Sequence, residues 1–236
     1  MAKGKSASYE DVFLKERYRV IVLDMDGTLY YQRAMQFLMC LEMGAFAIMH
    51  PFSLWKLKVI SVFRKIREQE VFAKEEFACR EHVSVEKQSL LEYQYKLTAD
   101  KMNKSQEVVK QIIEEWMFKR PLKYLQYTCD RKLCDWIDVW KHDGKKVVVY
   151  SDYPVKEKCD ILGLQVDAMY SSDEERIGQM KPSARALEVI GKDYNVLPCK
   201  VLVVGDRTSK DGEMAETFGC DYVILKKWKC LRRRKY

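Results

Sequence analysis

Residues 19–29 read Arg19, Val20, Ile21, Val22, Leu23, Asp24, Met25, Asp26, Gly27, Thr28, Leu29. A near-continuous apolar run that stops on a carboxylate suits a central strand of a parallel sheet covered on both faces. Side chains alternate along an extended backbone, so Asp24 and Asp26 leave the strand end on the same side. Gly27 then permits a sharp turn. The carboxyl end of a parallel strand is where open α/β sheets place their ligands. Two carboxylates so placed can share a divalent cation, or divide the roles of nucleophile and acid/base. The same residues also suit an ordinary βα turn whose aspartates cap a helix.

Working outward, residues 146–151 (KVVVYS) and 200–206 (KVLVVGD) repeat the pattern, and 166–170 (VDAMY) and 221–225 (DYVIL) are weaker strand candidates. Helix-length segments lie between them at 128–142, 154–162, 183–194 and 210–219, with Gly144 and Gly219 where helices should stop. Alternating strands and helices predict an α/β fold with a Rossmann-like parallel sheet. Residues 32–120 differ: they hold one glycine (Gly44) and one proline (Pro51). Apolar residues recur there at helical spacing: Leu90, Tyr93, Leu97, then Val109, Ile112, Ile113, Trp116. This predicts an inserted all-α bundle at 31–121, with Pro121 marking the return to a discontinuous core of 1–30 and 122–236. The aromatic and methionine-rich stretch from Met35 to Trp55 reads as the bundle's own core, with the lining of an apolar pocket as the alternative.

Three further signals fall along the core. Ser151 and Asp152 follow the second strong strand; a hydroxyl there can hold a phosphate oxygen beside backbone N–H groups, or simply cap a helix. Lys181 precedes Pro182 at a helix start and reads as a surface residue or a phosphate ligand. Asp206 ends the third strong strand, with Asp211 five residues on, a set suited to a hard cation or, again, to capping.

The chain has 236 residues, 47% of them hydrophobic and 33% charged, which excludes a disordered polymer, a collagen-like repeat and a disulfide-stapled miniprotein. The longest stretch without charge, Met43–Trp55, has 13 residues and contains Pro51; about 20 are needed for a transmembrane helix. The charged N-terminus MAKGKSASYEDVFLKERY does not read as a secretory signal. Net charge is +7, and seven basic residues fall in 226–236; without that tail acidic and basic residues balance at 35 each. A basic terminus of this kind can touch an anionic membrane or partner, or be a frayed, solvated end. A neutral body without a recognition motif argues against specific nucleic-acid binding. The eight cysteines form no CxxC pair and the three histidines no ligand-spaced cluster with them, so zinc is not expected. Reduced thiols in a cytoplasmic protein are the expectation, with Cys199 and Cys220 as small core residues.

Taken together, the signals occur in a recognisable order. DMDGT (Asp24 to Thr28), Ser151, Lys181 and GDRTSKD (Asp206 and Asp211) match, in turn, the four motifs of the haloacid dehalogenase-like hydrolase superfamily, which the chain closely resembles over residues 19–30 and about 122–225. The insertion sits where that family places its first type of cap. The resemblance implies a phosphatase of the kind related to phosphoglycolate phosphatase and β-phosphoglucomutase. In such enzymes Asp24 attacks phosphorus and becomes an aspartyl-phosphate, while Asp26 protonates the leaving oxygen and then activates water. Mg2+ would be held by Asp24, the Asp26 backbone carbonyl and Asp206, with Asp211 fixing the metal shell. Ser151 and Lys181 would hold the non-bridging oxygens. Family members that cleave carbon–halogen bonds work without metal, and those that cleave carbon–phosphorus bonds lack the second aspartate. Both aspartates here favour phosphate chemistry.

Two residues depart from the common pattern. Asp152 stands where asparagine is frequent, adding negative charge near substrate unless it caps the next helix or pairs with Lys156. Arg207 follows the motif aspartate and can salt-bridge within the motif or reach substrate. In the cap approach, Tyr30, Tyr31, Gln32 and Arg33 read as a surface hinge or as the segment that touches substrate, with Arg33 then meeting a second anionic group. The expected substrate is a small phosphorylated metabolite, and the oligomeric state a monomer or homodimer. A sugar phosphomutase of the same superfamily, and a non-enzymatic scaffold using the tail, are the alternatives.

Overall fold

In a computed structural model, residues 12–68 and 89–226 are described. The basic tail beyond Lys226, the N-terminal eleven residues, and Cys79, His82 and Cys230 lie outside them.

Five strands form one all-parallel sheet: β1 (Val20–Leu23), β2 (Lys146–Ser151), β3 (Ala168–Ser171), β4 (Val201–Gly205) and β5 (Asp221–Ile224), in the order β3-β2-β1-β4-β5. All five predicted strands are present, within two residues at each end. β1 and β4 are buried at every position, which is why their sequences are apolar without alternation. Alternation decides instead which face each residue serves. Ile21, Leu23, Val147, Val149, Leu202 and Val204 join one core, and Val20, Val22, Val148, Tyr150, Val201 and Val203 the other.

The first core is covered by α6 (Arg131–His142), through Leu133, Ile137 and Trp140, and by Cys159 of α7 (Lys156–Leu162). The second is covered by α8 (Arg185–Asp193), through Ala186, Leu187 and Ile190, and by Met214 and Ala215 of α9 (Glu213–Phe218). Gly144 and Gly219 take positive φ, as helix-stopping glycines do. The predicted helix at 210–219 begins as a wider turn, Thr208–Gly212, and only Glu213–Phe218 is α-helical. The predicted helix at 128–142 begins at Arg131, because Thr128 closes the preceding helix and Cys129 pairs with Tyr30 in an antiparallel bridge.

Between Tyr30 and Cys129 the described residues form α1 (Gln32–Met49), α2 (Trp55–Glu68), α3 (Leu90–Met102), α4 (Gln106–Ile113), a π-turn (Glu114–Lys119) and α5 (Leu122–Thr128). Leu90, Tyr93, Val109, Ile112, Ile113 and Trp116 are buried, as their spacing predicts. The reading of Met35–Trp55 as core is corrected: Met35 and Met39 are buried, whereas Phe37, Leu41, Ile48, Met49, Phe52 and Leu54 are exposed. A second correction concerns Cys199, which is exposed in the turn Pro198–Lys200, while Cys220 is buried as expected. Among the described residues, no single helix is long and apolar enough to cross a membrane.

Candidate active site

The sheet order reverses at β1, whose neighbours are β2 and β4. The carboxyl ends of these strands therefore enclose a crevice at a topological switch point. Asp24 stands at the end of β1, with its N–H bonded to the Val204 carbonyl at 2.9 Å. Asp206 and Asp211 follow β4, and Ser151 ends β2.

Asp24, Lys181 and Asp211 form a buried triplet. The Lys181 ammonium lies 2.5 Å from Asp24 Oδ1 and 2.7 Å from Asp211 Oδ1, with its side chain 3% exposed. The Thr28 hydroxyl donates to Asp24 Oδ2 at 2.7 Å. Burial pushes the Asp24 carboxyl up to about 7 despite the Lys181 ammonium, and Asp211 adds to the rise. Burial favours a neutral Lys181, but Asp24 and Asp211 outweigh it and hold the ammonium charged.

Asp26, two residues on, meets the opposite environment. Its Oδ1 accepts from the Tyr30 hydroxyl at 2.6 Å and from Lys158 Nζ at 2.5 Å. Burial raises its carboxyl, but Lys158 and Tyr30 more than offset that and hold it below the usual carboxylate range. One strand end thus carries two carboxylates tuned in opposite directions.

Asp24, Asp206 and Asp211 each offer a carboxylate oxygen, all within 4.8 Å of one another. Asp206 Oδ1 is buried and accepts no hydrogen bond; Arg207 Nε stands 3.4 Å away, an ion-pair distance without hydrogen-bond geometry. Asp211 Oδ2 accepts from the backbone N–H groups of Asp206 and Arg207 at 3.2 and 3.1 Å, which fixes the loop after β4. Two glycines make this proximity possible. A Cβ on Gly27, whose φ is +96°, would lie 2.2 Å from Asp206 Oδ2, and one on Gly205 would lie 2.2 Å from Asp211 Cγ. An all-oxygen acidic set with one buried, unsatisfied oxygen fits a hard divalent cation such as Mg2+. The Asp26 side chain is engaged by Tyr30 and Lys158 and stands outside this cluster.

Ser151 is 2% exposed, and its Oγ accepts from the Tyr153 N–H at 3.4 Å. Asp152 turns away from the crevice. Its Oδ1 accepts from the Lys181 N–H at 3.0 Å and the Ser172 hydroxyl at 3.1 Å, and its Oδ2 pairs with Lys210 at 3.2 Å. The partner is therefore Lys210, not Lys156, and no cap on α7 is made. Burial raises the Asp152 carboxyl, and Lys210, Arg67 and Lys181 more than reverse it, leaving it lowered. Asp152 thus holds the Lys181 backbone in place. Arg207 salt-bridges within its motif, and Arg33 lies exposed in the first turn of α1.

The insertion also reaches the site. Arg67 of α2 donates to Gln94 Oε1 at 2.8 Å and to the Asp152 carbonyl, and its guanidinium lies 3.6 Å from the Tyr153 ring centroid. Ile66, Leu90 and Tyr93 pack on Met180, next to Lys181. Leu91 N–H bonds Asp173 Oδ1 at 2.9 Å. Nothing in the sequence separates Lys158 and Arg67 from the other basic residues, and Lys210 is marked only by its place inside GDRTSKD.

The family model for haloacid dehalogenase-like hydrolases matches residues 18–219. The chain belongs to that family. No curated protein matches the sequence. Its fold is similar to the L-2-haloacid dehalogenase from Xanthobacter autotrophicus with chloropropionic acid covalently bound (TM-score 0.59, 15% identity, 90% of this chain and 79% of that one). It is also similar to the 2-haloacid dehalogenase from Pseudomonas syringae pv. tomato DC3000 (0.57, 14%, 93% and 91%). A third similar structure is the putative HAD-hydrolase YfnB from Bacillus subtilis bound to magnesium (0.57, 12%, 92% and 90%). At these identities the likeness is one of fold.

Proposed function

We propose that this hydrolase is a Mg2+-dependent phosphatase acting on a phosphomonoester through an aspartyl-phosphate on Asp24. The observation that carries the reading is the Asp26 carboxylate, held by Lys158 and Tyr30 apart from the Asp24, Asp206 and Asp211 cluster. Displacement of a halide by a carboxylate needs no acid for its leaving group, whereas an alkoxide leaving phosphorus does.

Asp24 Oδ forms a bond to phosphorus as the P–O bond to the alcohol breaks, and the departing oxygen takes a proton from Asp26, which must enter this half protonated, against the preference for its ionised form that Lys158 and Tyr30 impose in the free protein. Water then attacks phosphorus, its proton passes to Asp26, and the Asp24–phosphate bond breaks to return the carboxylate. The low proton affinity of Asp26 suits the second half, in which it begins ionised. Thr28 and Lys181 fix the Asp24 carboxylate, and Lys181 and Ser151 would receive the non-bridging oxygens. Asp24, Asp206 and Asp211 would hold Mg2+, which when bound supplies the positive charge that lets an anionic nucleophile approach an anionic phosphate. The helices of 31–121 act as a cap: Arg67 and the Ile66–Met180 contact hold them against the loop that carries Lys181, where they exclude water. The substrate is proposed to be a phosphorylated small molecule.

The test is phosphate release from a panel of phosphomonoesters with and without Mg2+, alongside halide release from 2-chloropropionate. The reading expects metal-dependent phosphate release that Asp24→Asn abolishes. Halide release independent of metal, with no phosphate released, would overturn it.

A further inference from the structure

α1 carries two apolar stripes. Met35, Met39, Met43 and Phe46 face the core, while Phe37, Leu41, Ala45 and Ile48, half a turn away, face solvent. A helix that is apolar all round belongs in a buried or lipid setting. The exposed stripe runs on into an elbow at Pro51, where α1 and the segment Pro51–Glu68 meet at 118°. Ile48 is 84% exposed, Met49 68% and Phe52 97%, so they project as a convex tip and do not line a groove.

Among the described residues, the charge around this tip is predominantly basic. From Met43 to Arg67 there is no acidic residue, and Lys56, Lys58, Arg64 and Lys65 follow the tip on α2. Glu42, just before it, is neutralised by Arg120 and Lys123 at 2.7 and 2.8 Å. On the adjoining end of α3, Asp100 is outnumbered by Lys101 and Lys104, and Lys104 Nζ lies 5.0 Å from the Trp55 ring. Projecting apolar side chains, beside the half-buried Trp55, and a collar of lysines are complementary to the acyl boundary and headgroups of an anionic bilayer.

We propose that the α1–α2 elbow docks the protein on an anionic membrane surface, inserting Ile48, Met49, Phe52 and Leu54 among the lipids without spanning it. This is independent of the chemistry proposed above. The insertion is distinct from any contact by the basic tail, because it is hydrophobic and lies in the cap.

The test is flotation of the full chain with vesicles of phosphatidylcholine alone and with roughly a third of phosphatidylglycerol. Wild type should bind the anionic vesicles, and Ile48→Ser with Phe52→Ser should weaken binding by about tenfold or more. Both positions are exposed, so circular dichroism and melting should match wild type. In a Phe52→Trp variant, bromine on the upper acyl chain should quench fluorescence beyond the wild-type loss. Equal binding by the double serine variant would assign binding to the tail and overturn the proposal, as would no added quenching. Failure of wild type to float, with a dimer that the serine variant dissociates, would make this face a self-interface and also overturn it.

Discussion

Replacing Lys181 with methionine tests whether the core of the site is built as described. The substitution keeps an unbranched side chain one atom shorter and removes the charge that serves Asp24 at 2.5 Å and Asp211 at 2.7 Å. Both carboxylates are almost inaccessible, so solvent does not replace the lost partner. Breaking a buried ion pair costs about 3–5 kcal/mol. Asp24 recovers part of that by taking up a proton, since its carboxyl already stands near 7 with Lys181 present. The expected net loss of stability is about 3 kcal/mol near neutral pH. A buried carboxyl with a raised proton affinity destabilises the folded state increasingly as pH rises through its folded pKa. Loss of the ammonium raises the Asp24 carboxyl further, so the deficit of Lys181→Met should widen as pH rises above 7 and stay level just below it. Urea unfolding in a chelator, compared with wild type on both sides of neutrality, reads both quantities. Added Mg2+ should recover more stability in the variant than in wild type, because a cation then offsets repulsion among Asp24, Asp206 and Asp211. A deficit below about 1 kcal/mol that does not change with pH would refute the buried triplet.

Three further outcomes follow from other parts of the structure. Arg67→Ala loses two charged hydrogen bonds and the Tyr153 stacking, so urea unfolding should show a loss of about 2–4 kcal/mol, with KM raised more than kcat is lowered, and Arg67→Lys should recover less than half. Asp152→Asn removes a carboxyl whose proton affinity is lowered in the fold; its stabilisation is present above the ordinary carboxylate pKa and lost as pH falls through the folded value, so the variant's acid-unfolding limb should be shallower than wild type below the ordinary carboxylate pKa and parallel to it above. Gly27→Ala puts a Cβ against the Asp206 carboxylate at a strained φ, and calorimetry should show a weaker Mg2+ affinity together with a stability loss of about 1–3 kcal/mol.

Much of the core was legible because its signals are local. Val20–Leu23 and Val201–Gly205 are buried on both faces, so their apolar runs announce themselves, and the aspartates at their ends inherit a defined position. What the sequence could not supply were pairings across long separations. Lys158 reaches Asp26 over 132 residues and Lys210 reaches Asp152 over 58; each is an unremarkable lysine on a short helix or turn until the sheet brings the strand ends together. Asp152 illustrates the consequence: its neighbour in sequence, Lys156, was the obvious candidate, and the fold chose Lys210. The stretch from Met35 to Trp55 failed for another reason. Apolar periodicity shows that a helix can be buried, not how many of its faces are, and α1 has a stripe on each side.

The most direct test of the central claim is a rapid acid quench of the Asp26→Asn variant with a turnover substrate and Mg2+, followed by trypsin digestion and mass spectrometry. Without the Asp26 carboxylate, hydrolysis of the intermediate is slowed, while an aryl phosphate such as p-nitrophenyl phosphate, whose leaving group needs no proton, still forms it. The account predicts that the tryptic peptide Val20–Arg33 gains the mass of one phosphoryl group, localised to Asp24 and absent when Asp24 is also changed to asparagine. Turnover that proceeds with this peptide unmodified, or with the phosphoryl group on another residue, would contradict it.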